Sequence, residues 1–419
     1  MNSNDFNDLI EAKKFHVPSI PNAFEKQLDE SDFQSYRETC ESNLSKINNS
    51  LKEKLDNLKV TDELLKHYEL PLVHLLILCG EHSCLELWST KLSVEIAAEI
   101  LKHLLQLCNK SNVTELLIVN GESIIKNIVL LLRPKLLSST WKCNPAAVQC
   151  YCWILIQIKA PYLDEHLNDL LPTALIITDD FESSNRIKGL RSITHIINNV
   201  SKANLEKYGH NGVILAGLRP ILYHNEPDIL EPLLQCFVSL MQKMESPVST
   251  SELSRNEFDD ILDIILNNID LEGRTQCKIM YLKCLINIIN IFRLRTLRYT
   301  RKLYSMIETG LYSGPKDPTQ LLWLDVLDSI VKNCWPRIIN NQHQLHQLMY
   351  NILKFTFDYS TSIDVNKISN DDIALRLKTS YQLLKNLCDK KLEEEVNVCL
   401  TKSEHLNDNF KTLLHFIVT

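Results

Sequence analysis

Hydrophobic residues recur at helical spacing along most of this 419-residue chain. From Val60 to the C-terminus, apolar residues return every three or four positions, segment after segment, which is the period of an amphipathic α-helix. A clear example follows Ser93, a residue type that caps helix N-termini. Its apolar stripe consists of Ala97, Ile100, Leu101, Leu104, Leu105 and Cys108. The pattern predicts about sixteen helices of roughly 12–20 residues, joined by short turns.

Several predicted helices begin with a capping signal. Asn144 and Pro145 are suited to the N-cap and the first helical position. They precede AAVQCYCWILIQI, which is apolar nearly all round and is therefore predicted to lie at the centre of the fold. The other predicted starts are Ser184, Ser254 with Glu257, Asp317 with Pro318, and Asp371 with Asp372.

The N-terminal part of the chain is more polar and less periodic than the rest. Residues 1 to 22 lack periodicity and contain two prolines, so they are predicted to form a loose tail. Residues 23–59 are polar, with Leu44, Ile47, Leu51, Leu55 and Leu58 at helical steps. The sequence thus predicts a partly disordered region with an amphipathic helix over 1–59 and a continuous helical array over 60–419.

Two architectures fit such a series of helices, a closed bundle and an open α-solenoid of stacked helix pairs. A single closed core stops growing well before this length, whereas helix pairs of about 40–47 residues, as in HEAT and armadillo repeats, would give about nine units. Gly occurs only 9 times, and no alternating run is flanked by the glycine turns that a β-hairpin needs. The predicted fold is all-α, an α-solenoid of HEAT- or armadillo-like repeats. Pro220 and Pro232 fit kinked helices of this kind.

Charge and cysteine content narrow the class of protein further. There are 45 Lys and Arg against 52 Asp and Glu, a net charge of −7, which disfavours nucleic acid as a partner. The 13 cysteines are odd in number and the first residues, MNSNDFNDLIEAKK, are polar and acidic. We therefore expect reduced thiols in the cytoplasm or nucleus. No apolar run reaches the ~18 residues of a membrane span, so no membrane partner is predicted.

Catalytic and metal-binding motifs are absent from the sequence. There is no dinucleotide fingerprint, P-loop, nucleophile elbow, zinc-protease or kinase signature. Cys79, His82 and Cys84 are crowded for a tetrahedral zinc site, and Cys150 with Cys152 fit small core residues. His343 and His346 share a helix face without a carboxylate neighbour. The sequence predicts no catalytic residue, no cofactor and no metal.

One basic cluster comprises Arg293, Arg295, Arg298, Arg301 and Lys302. On a helix, Arg295, Arg298 and Lys302 would form a stripe beside apolar positions. Three interpretations remain open for this stripe: a solvated face, a surface for an acidic partner protein, or a nucleic-acid contact.

The segment 172–200 carries features beyond simple packing. Asp179 and Asp180 end one predicted helix and precede the next, where negative charge favours the helix N-terminus. Gly189 lies in mid-helix, a costly position unless another backbone packs closely there. His195 and Asn198 lie on the same helix. We call these residues of segment 172–200 the ridge. Two explanations remain open for it: electrostatics at the helix boundary, or contact with a partner protein.

The same segment carries a family resemblance. DDFESSNRIKGLRSITHIINNV and the stretch after it resemble the core of the second Tel-two-interacting protein family, the smallest members of the Triple-T (TTT) assembly. The resemblance covers about residues 140–345. Its matching positions are Asp179, Asp180, Asn185, Gly189, His195, Ile196, Asn199, Tyr208, Gly209, Glu226 and the segment Cys334 to Ile338.

The resemblance implies an α-solenoid without enzymatic activity and an N-terminal region that varies within the family. Its implied partners are the Tel-two protein and the first Tel-two-interacting protein. The assembly acts as a co-chaperone adaptor with heat-shock protein 90 for phosphatidylinositol-3-kinase-related kinases such as mTOR, ATM and ATR, in TOR signalling and the DNA damage response. Cytoplasmic and nuclear localisation is implied. The alternative is a HEAT-repeat adaptor of another assembly, such as a transport receptor or coat subunit; an enzyme comes third.

Together, the ridge, the basic cluster and the resemblance give a set of candidate partner-binding residues. They are Asp179, Asp180, Asn185, Gly189, His195, Arg295, Arg298 and Lys302.

Overall fold

The structure of the chain is a computed structural model. It describes residues 11–57, 68–223, 226–245, 255–312, 317–362, 368–369, 371–387, 394, 398, 401 and 408–418, with the backbone alone for 11, 56–57 and 119–123. The predicted helix start at Ser254 and the stripe position Leu58 lie outside these residues. All regular structure in the described part is helical, with no strand, as the hydrophobic pattern predicts.

The chain divides into two compact units, residues 1–217 and 218–419. The predicted boundary between the N-terminal region and the helical array, at 59/60, stays a prediction. So do residues 140 and 345 as the limits of the family-like core. In the first unit the described helices are α1 (Gln34–Asn57), α2 (Glu69–Glu81), α3 (Lys91–Leu107), α4 (Val113–Leu117), α5 (Val119–Leu132), α6 (Pro145–Gln157), α7 (Leu163–Thr178), α8 (Ser183–Asn199), α9 (Lys202–Lys207) and α10 (His210–Leu218), which ends at the unit boundary.

The second unit continues the same pattern of helices. Its described α-helices are α11 (Pro227–Met244), α12 (Glu257–Leu271), α13 (Thr275–Phe292), α14 (Thr300–Leu311), α15 (Gln320–Ile338), α16 (Gln342–Ser360), α17 (Asp372–Lys385) and α18 (Asp408–Val418). Short 3₁₀ helices occur in both units, at Glu11–Phe15, Glu30–Phe33, Arg133–Lys135, Trp141–Cys143, Arg219–Tyr223 and Arg293–Arg298.

Two of the predicted helix starts are confirmed to the residue. Asn144 is the N-cap of α6, with Pro145 at its first position, and the Asp371 side chain accepts a hydrogen bond from the Ala374 N–H at the start of α17.

Three other helix starts differ by a few residues from the prediction. Thr90 caps α3, and Ser93 is its reciprocal partner at the third helical position. The backbone cap of α8 is Glu182 rather than Ser184. Asp317 accepts from the Thr319 N–H at 2.8 Å, and α15 begins after it at Gln320.

The helices that are apolar all round lie at the centre of the first unit. Along α2, every residue from Leu72 to Glu81 is buried, and α6 buries seven of its thirteen residues. The Tyr151 hydroxyl donates to the Leu170 carbonyl at 2.7 Å, which joins α6 to α7. The predicted central position of α6 is therefore confirmed.

The N-terminal segment differs from the predicted loose tail over its described part. Val17, Phe33 and Trp88 form a buried cluster with Ala146. The Ile20 N–H donates to the Cys143 carbonyl at 2.8 Å. The apolar residues that make these contacts are spaced irregularly, so hydrophobic periodicity does not detect them. This packing places residues 23–28 beside the start of α8.

Candidate partner-binding surface

Helices α7 and α8 pack unusually close together at Gly189. A Cβ built on Gly189 would lie 2.3 Å from Thr178 Oγ1 and 2.8 Å from Thr178 Cα. These distances are far below van der Waals contact, and part of the obstacle is backbone that cannot rotate away. The sequence prediction that another backbone packs against Gly189 is confirmed. This close approach holds α8 against the end of α7.

Asp180 turns inward from the connection between these two helices. Its side chain is 2% exposed, and Oδ1 lies 2.6 Å from Lys142 Nζ. Asn185 Nδ2 donates to Oδ2 at 2.8 Å, and the Arg186 side chain donates to the Asp180 carbonyl at 2.8 Å. A carboxylate so enclosed and so fully hydrogen-bonded fixes the turn. It is not displayed to a partner.

Asp179 and Phe181 flank Asp180, and both are exposed. Asp179 is exposed, and no side chain or N–H within the described part of the chain donates to its carboxylate. Phe181 is 79% exposed. Its ring centroid lies 4.1 Å from Lys142 Nζ, a distance that allows a cation–π contact. The two predicted acidic residues therefore have different roles, one structural and one at the surface.

An open groove begins at Phe181 and encloses about 470 Å³. We name it the Phe181 groove. It is lined by residues from four stretches, namely 23–28, 86–88, 141–148 and 181–188. The indole rings of Trp88 and Trp141 are part of its lining and are themselves buried. Sequence reasoning identified Asn185 on its wall but missed the groove, because the opposite wall comes from the N-terminal segment.

His195 holds α8 against the end of α6. Its Nε2 lies 2.9 Å from the Ile158 carbonyl. Because a carbonyl only accepts, Nε2 carries the proton in this contact. Asn199 donates to the His195 carbonyl at 2.9 Å. The matched histidine is thus half-buried and positions helices.

The prediction that Arg295, Arg298 and Lys302 form one stripe on a helix is wrong. Residues 293–298 form a 3₁₀ helix separate from α14, so Arg295, Arg298 and Lys302 do not share one helix. Arg295 is 3% exposed. Its guanidinium donates to Asp259 Oδ2 at 2.6 Å, to Asn256 Oδ1 at 2.9 Å and to Glu245. An arginine this enclosed is not available for a partner.

Asp259 is the acidic centre of this cluster, at the first turn of α12. Burial opposes its ionisation, yet the backbone of Asn256, the Tyr299 hydroxyl and Arg295 hold the pKa of this carboxyl below its usual range. The Tyr299 hydroxyl donates to Asp259 Oδ1 at 2.8 Å. The network fastens the Arg293–Arg298 turn onto the start of α12.

The other two basic candidates are more accessible. The Arg298 side chain is 32% exposed and lies 3.7 Å from Asp259. Lys302 Nζ donates to Asn267 Oδ1 at 2.6 Å and lies 3.9 Å from Asp270. Both side chains reach solvent while contacting α12, so their role as partner contacts stays a prediction.

The cysteines and histidines considered as metal ligands in the sequence do not form a metal site in the described structure. Burial raises the pKa of the Cys79 thiol to about 12, and His82 is fully buried with its Nε2 2.9 Å from the Tyr36 hydroxyl. Within the described ranges, no three His, Cys, Asp or Glu side chains are arranged to hold a metal ion. Among the same residues, no helix is both long and apolar enough to cross a membrane.

Comparison with curated proteins confirms the resemblance seen in the sequence. TELO2-interacting protein 2 of Homo sapiens is 28% identical over 315 residues, which are 73% of this chain and 61% of that protein. The protein of the same name from Mus musculus is 29% identical over 61% of this chain and 52% of its own length. The chain therefore spans between half and two thirds of the length of these two relatives. No family model matches it.

Comparison with solved structures confirms the fold class. A structure of importin beta has a TM-score of 0.53 at 11% identity, over 95% of this chain and 46% of that one. A structure of the karyopherin Kap121p has a TM-score of 0.53 at 13% identity, over 99% of this chain and 40% of that one. These are HEAT-repeat proteins, and the likeness concerns the all-α solenoid fold alone.

Proposed function

We propose that this chain, a relative of TELO2-interacting protein 2, is a scaffold subunit of a TTT complex and has no catalytic activity of its own. The observation that carries the proposal is the 28% identity to the human relative over 73% of the chain. The name of that relative states an interaction with TELO2. The proposed direct partners are accordingly the Tel-two protein and the first Tel-two-interacting protein.

The proposed role of the complex is that of a co-chaperone adaptor. It would work with heat-shock protein 90 in the maturation of phosphatidylinositol-3-kinase-related kinases of the mTOR, ATM and ATR class. The proposed location is the cytoplasm and the nucleus. A stacked helical scaffold suits this task because it offers extended surface to several proteins at once.

Affinity purification of the tagged full chain, followed by mass spectrometry, tests the complex. We expect the other two TTT subunits in near-stoichiometric amounts, with chaperone and kinases at lower levels. Recovery of coat subunits or of transport cargo in their place would favour the alternative adaptor. Purification with neither TTT subunit would contradict the proposal.

Depletion of the chain tests the co-chaperone role. A subunit that binds folded partners stabilises them by mass action, and its loss leaves them open to degradation. We expect the other TTT subunits to decline first and the kinases later, with their transcripts unchanged. Pulse-labelling should show that newly made kinase disappears faster than mature kinase. Normal kinase levels over several generations would contradict this role.

A further inference from the structure

The Phe181 groove displays an aromatic side chain that the fold leaves exposed and yet holds in place. A phenylalanine that is 79% exposed forfeits most of the stabilisation that its burial would contribute. Its ring is fixed by the Lys142 ammonium at 4.1 Å, and Lys142 is fixed in turn by the buried Asp180. A preorganised side chain of this kind loses little entropy on binding a partner.

A second exposed aromatic ring also lies near Lys142. Phe24 is 48% exposed, and its ring centroid is 5.9 Å from Lys142 Nζ. Leu85, next to the lining residue Glu86, is 61% exposed. The lining itself includes the apolar residues Leu28, Leu87 and Val148, and the volume of about 470 Å³ is enough for one or two side chains of a partner. That is the scale of a binding hot spot rather than of a whole interface.

The groove has an excess of unpaired negative charge. Each lysine that lines it is already paired within the chain: Lys26 with Asp32, Lys142 with Asp180, and Lys188 with Glu86 at 2.6 Å.

The carboxylates at the start of α8 are not balanced in this way. Among the described residues, the Glu182 carboxylate accepts only a 3.3 Å contact from Asn185, and the Asp179 carboxylate has no donor. Asp179 is two residues from Phe181 and so within about 7 Å along the backbone. The partial positive charge of a helix N-terminus, about half a unit, offsets only part of this excess.

We propose that the Phe181 groove docks a segment of a partner protein in which an apolar side chain is adjacent to a lysine or arginine. The apolar side chain packs against Phe181 inside the groove, and the basic residue pairs with Asp179 and Glu182. The inference rests on the proposed function, since it places the occupant on another subunit of the same complex.

Binding of purified variants to the co-expressed Tel-two protein and first Tel-two-interacting protein tests the proposal. Phe181→Ala should weaken capture at least ~10-fold, the loss typical of an aromatic anchor. Asp179→Lys should weaken it several-fold, more at low salt than at high salt, because rim charges act through screened electrostatics. The matched control is Leu271→Ala, an 85% exposed apolar residue of the second unit, which should bind like wild type.

Melting temperature is measured alongside binding, and both groove variants should melt like wild type because their side chains are exposed. If wild type captures the two subunits and both variants do so equally well, the groove proposal is overturned while the proposed function stands. If folded wild type captures neither, the proposed function fails and the groove proposal falls with it.

A photo-crosslinking phenylalanine analogue at position 181 identifies the occupant in the assembled complex. A crosslink to a partner segment with an apolar residue beside a lysine or arginine supports the proposal. A crosslink to a second copy of this chain, or to a segment without that pattern, overturns it.

Discussion

Lys142 and Asp180 form an ion pair that is enclosed on the carboxylate side, with Nζ 2.6 Å from Oδ1 and the aspartate side chain 2% exposed. The pair joins the Trp141–Cys143 turn to the beginning of α8. It also explains why two adjacent aspartates differ: only one of them can face Lys142, and the other is left at the surface.

Replacing Asp180 should destabilise the protein far more than replacing Asp179. Asp180→Asn leaves Lys142 without its counter-charge, and we expect a loss of about 3 kcal/mol, at the low end for broken buried pairs because Lys142 keeps some solvent access. Asp179→Asn is the matched control and should change the free energy of unfolding by less than about 0.5 kcal/mol. Urea titration measures both. Equal effects would show that the two residues are equivalent, contrary to the geometry.

Gly189 gives a second prediction. Gly189→Ala places a methyl group 2.3–2.8 Å from Thr178 side-chain and backbone atoms, and we expect a loss of about 1–3 kcal/mol from overpacking. The control is Gly212→Ala in α10, where nothing lies within 4 Å of the added carbon. There the higher helix propensity of alanine should stabilise by up to about 1 kcal/mol. Thermal melts of the two variants should therefore shift in opposite directions.

The two glycines also show what the sequence alone can predict. Helical periodicity predicts the helices around both, and a glycine in mid-helix predicts a close approach, which is confirmed at Gly189. The sequence does not identify the obstacle itself, because Thr178 belongs to another helix.

The Phe181 groove was not predictable from sequence for the same reason. Its walls come from residues 23–28 and 181–188, far apart in the chain. The contacts that join them, such as Ile20 N–H to the Cys143 carbonyl, involve backbone groups that any residue carries.

Arg295 provides a third prediction, on the second unit. Arg295→Met removes the donors to Asp259, Asn256 and Glu245 and leaves two carboxylates partly uncompensated. We expect a loss of about 3–5 kcal/mol. Arg298→Met is the control: its side chain is 32% exposed and 3.7 Å from Asp259, so the loss should stay near or below 1 kcal/mol. Denaturant unfolding, followed by far-UV circular dichroism, measures the unfolding free energy of both variants. A small effect at Arg295 together with loss of partner capture would restore its role as a surface contact.

A histidine buried against the N-terminal segment leads to the last prediction. The Tyr36 hydroxyl lies 2.9 Å from both the Phe15 carbonyl and His82 Nε2. The carbonyl can only accept, so tyrosine donates to it and Nε2–H of His82 donates to the tyrosine oxygen. His82 Nδ1 is then an unprotonated, buried nitrogen with no partner among the described side chains. A proton added there would have no acceptor.

Burial accordingly lowers the pKa of His82 to about 4; the nearby Glu81 carboxylate opposes this shift and His16 adds to it. The pKa of His74, which contacts His16 at 3.0 Å, is also lowered to about 4, chiefly by burial, with His16, Lys13 and Lys135 contributing. In the unfolded chain a histidine takes up its proton near pH 6.5. Between pH 6.5 and 4 the unfolded state therefore binds more protons than the folded state, and stability must fall as the pH falls.

The slope should reach about 1.4 kcal/mol per pH unit for each such histidine. His82→Gln keeps a donor for Tyr36 but cannot titrate, so the fall in unfolding free energy between pH 6.5 and 4.5 should become shallower by roughly that amount per unit. His343→Gln, at an exposed position of α16, should leave the slope as in wild type. The comparison uses slopes within each variant, so any constant loss of stability from the substitution cancels. An unchanged slope in His82→Gln would mean that His82 takes up its proton at the same pH in the folded and unfolded states, which would contradict the lowered pKa.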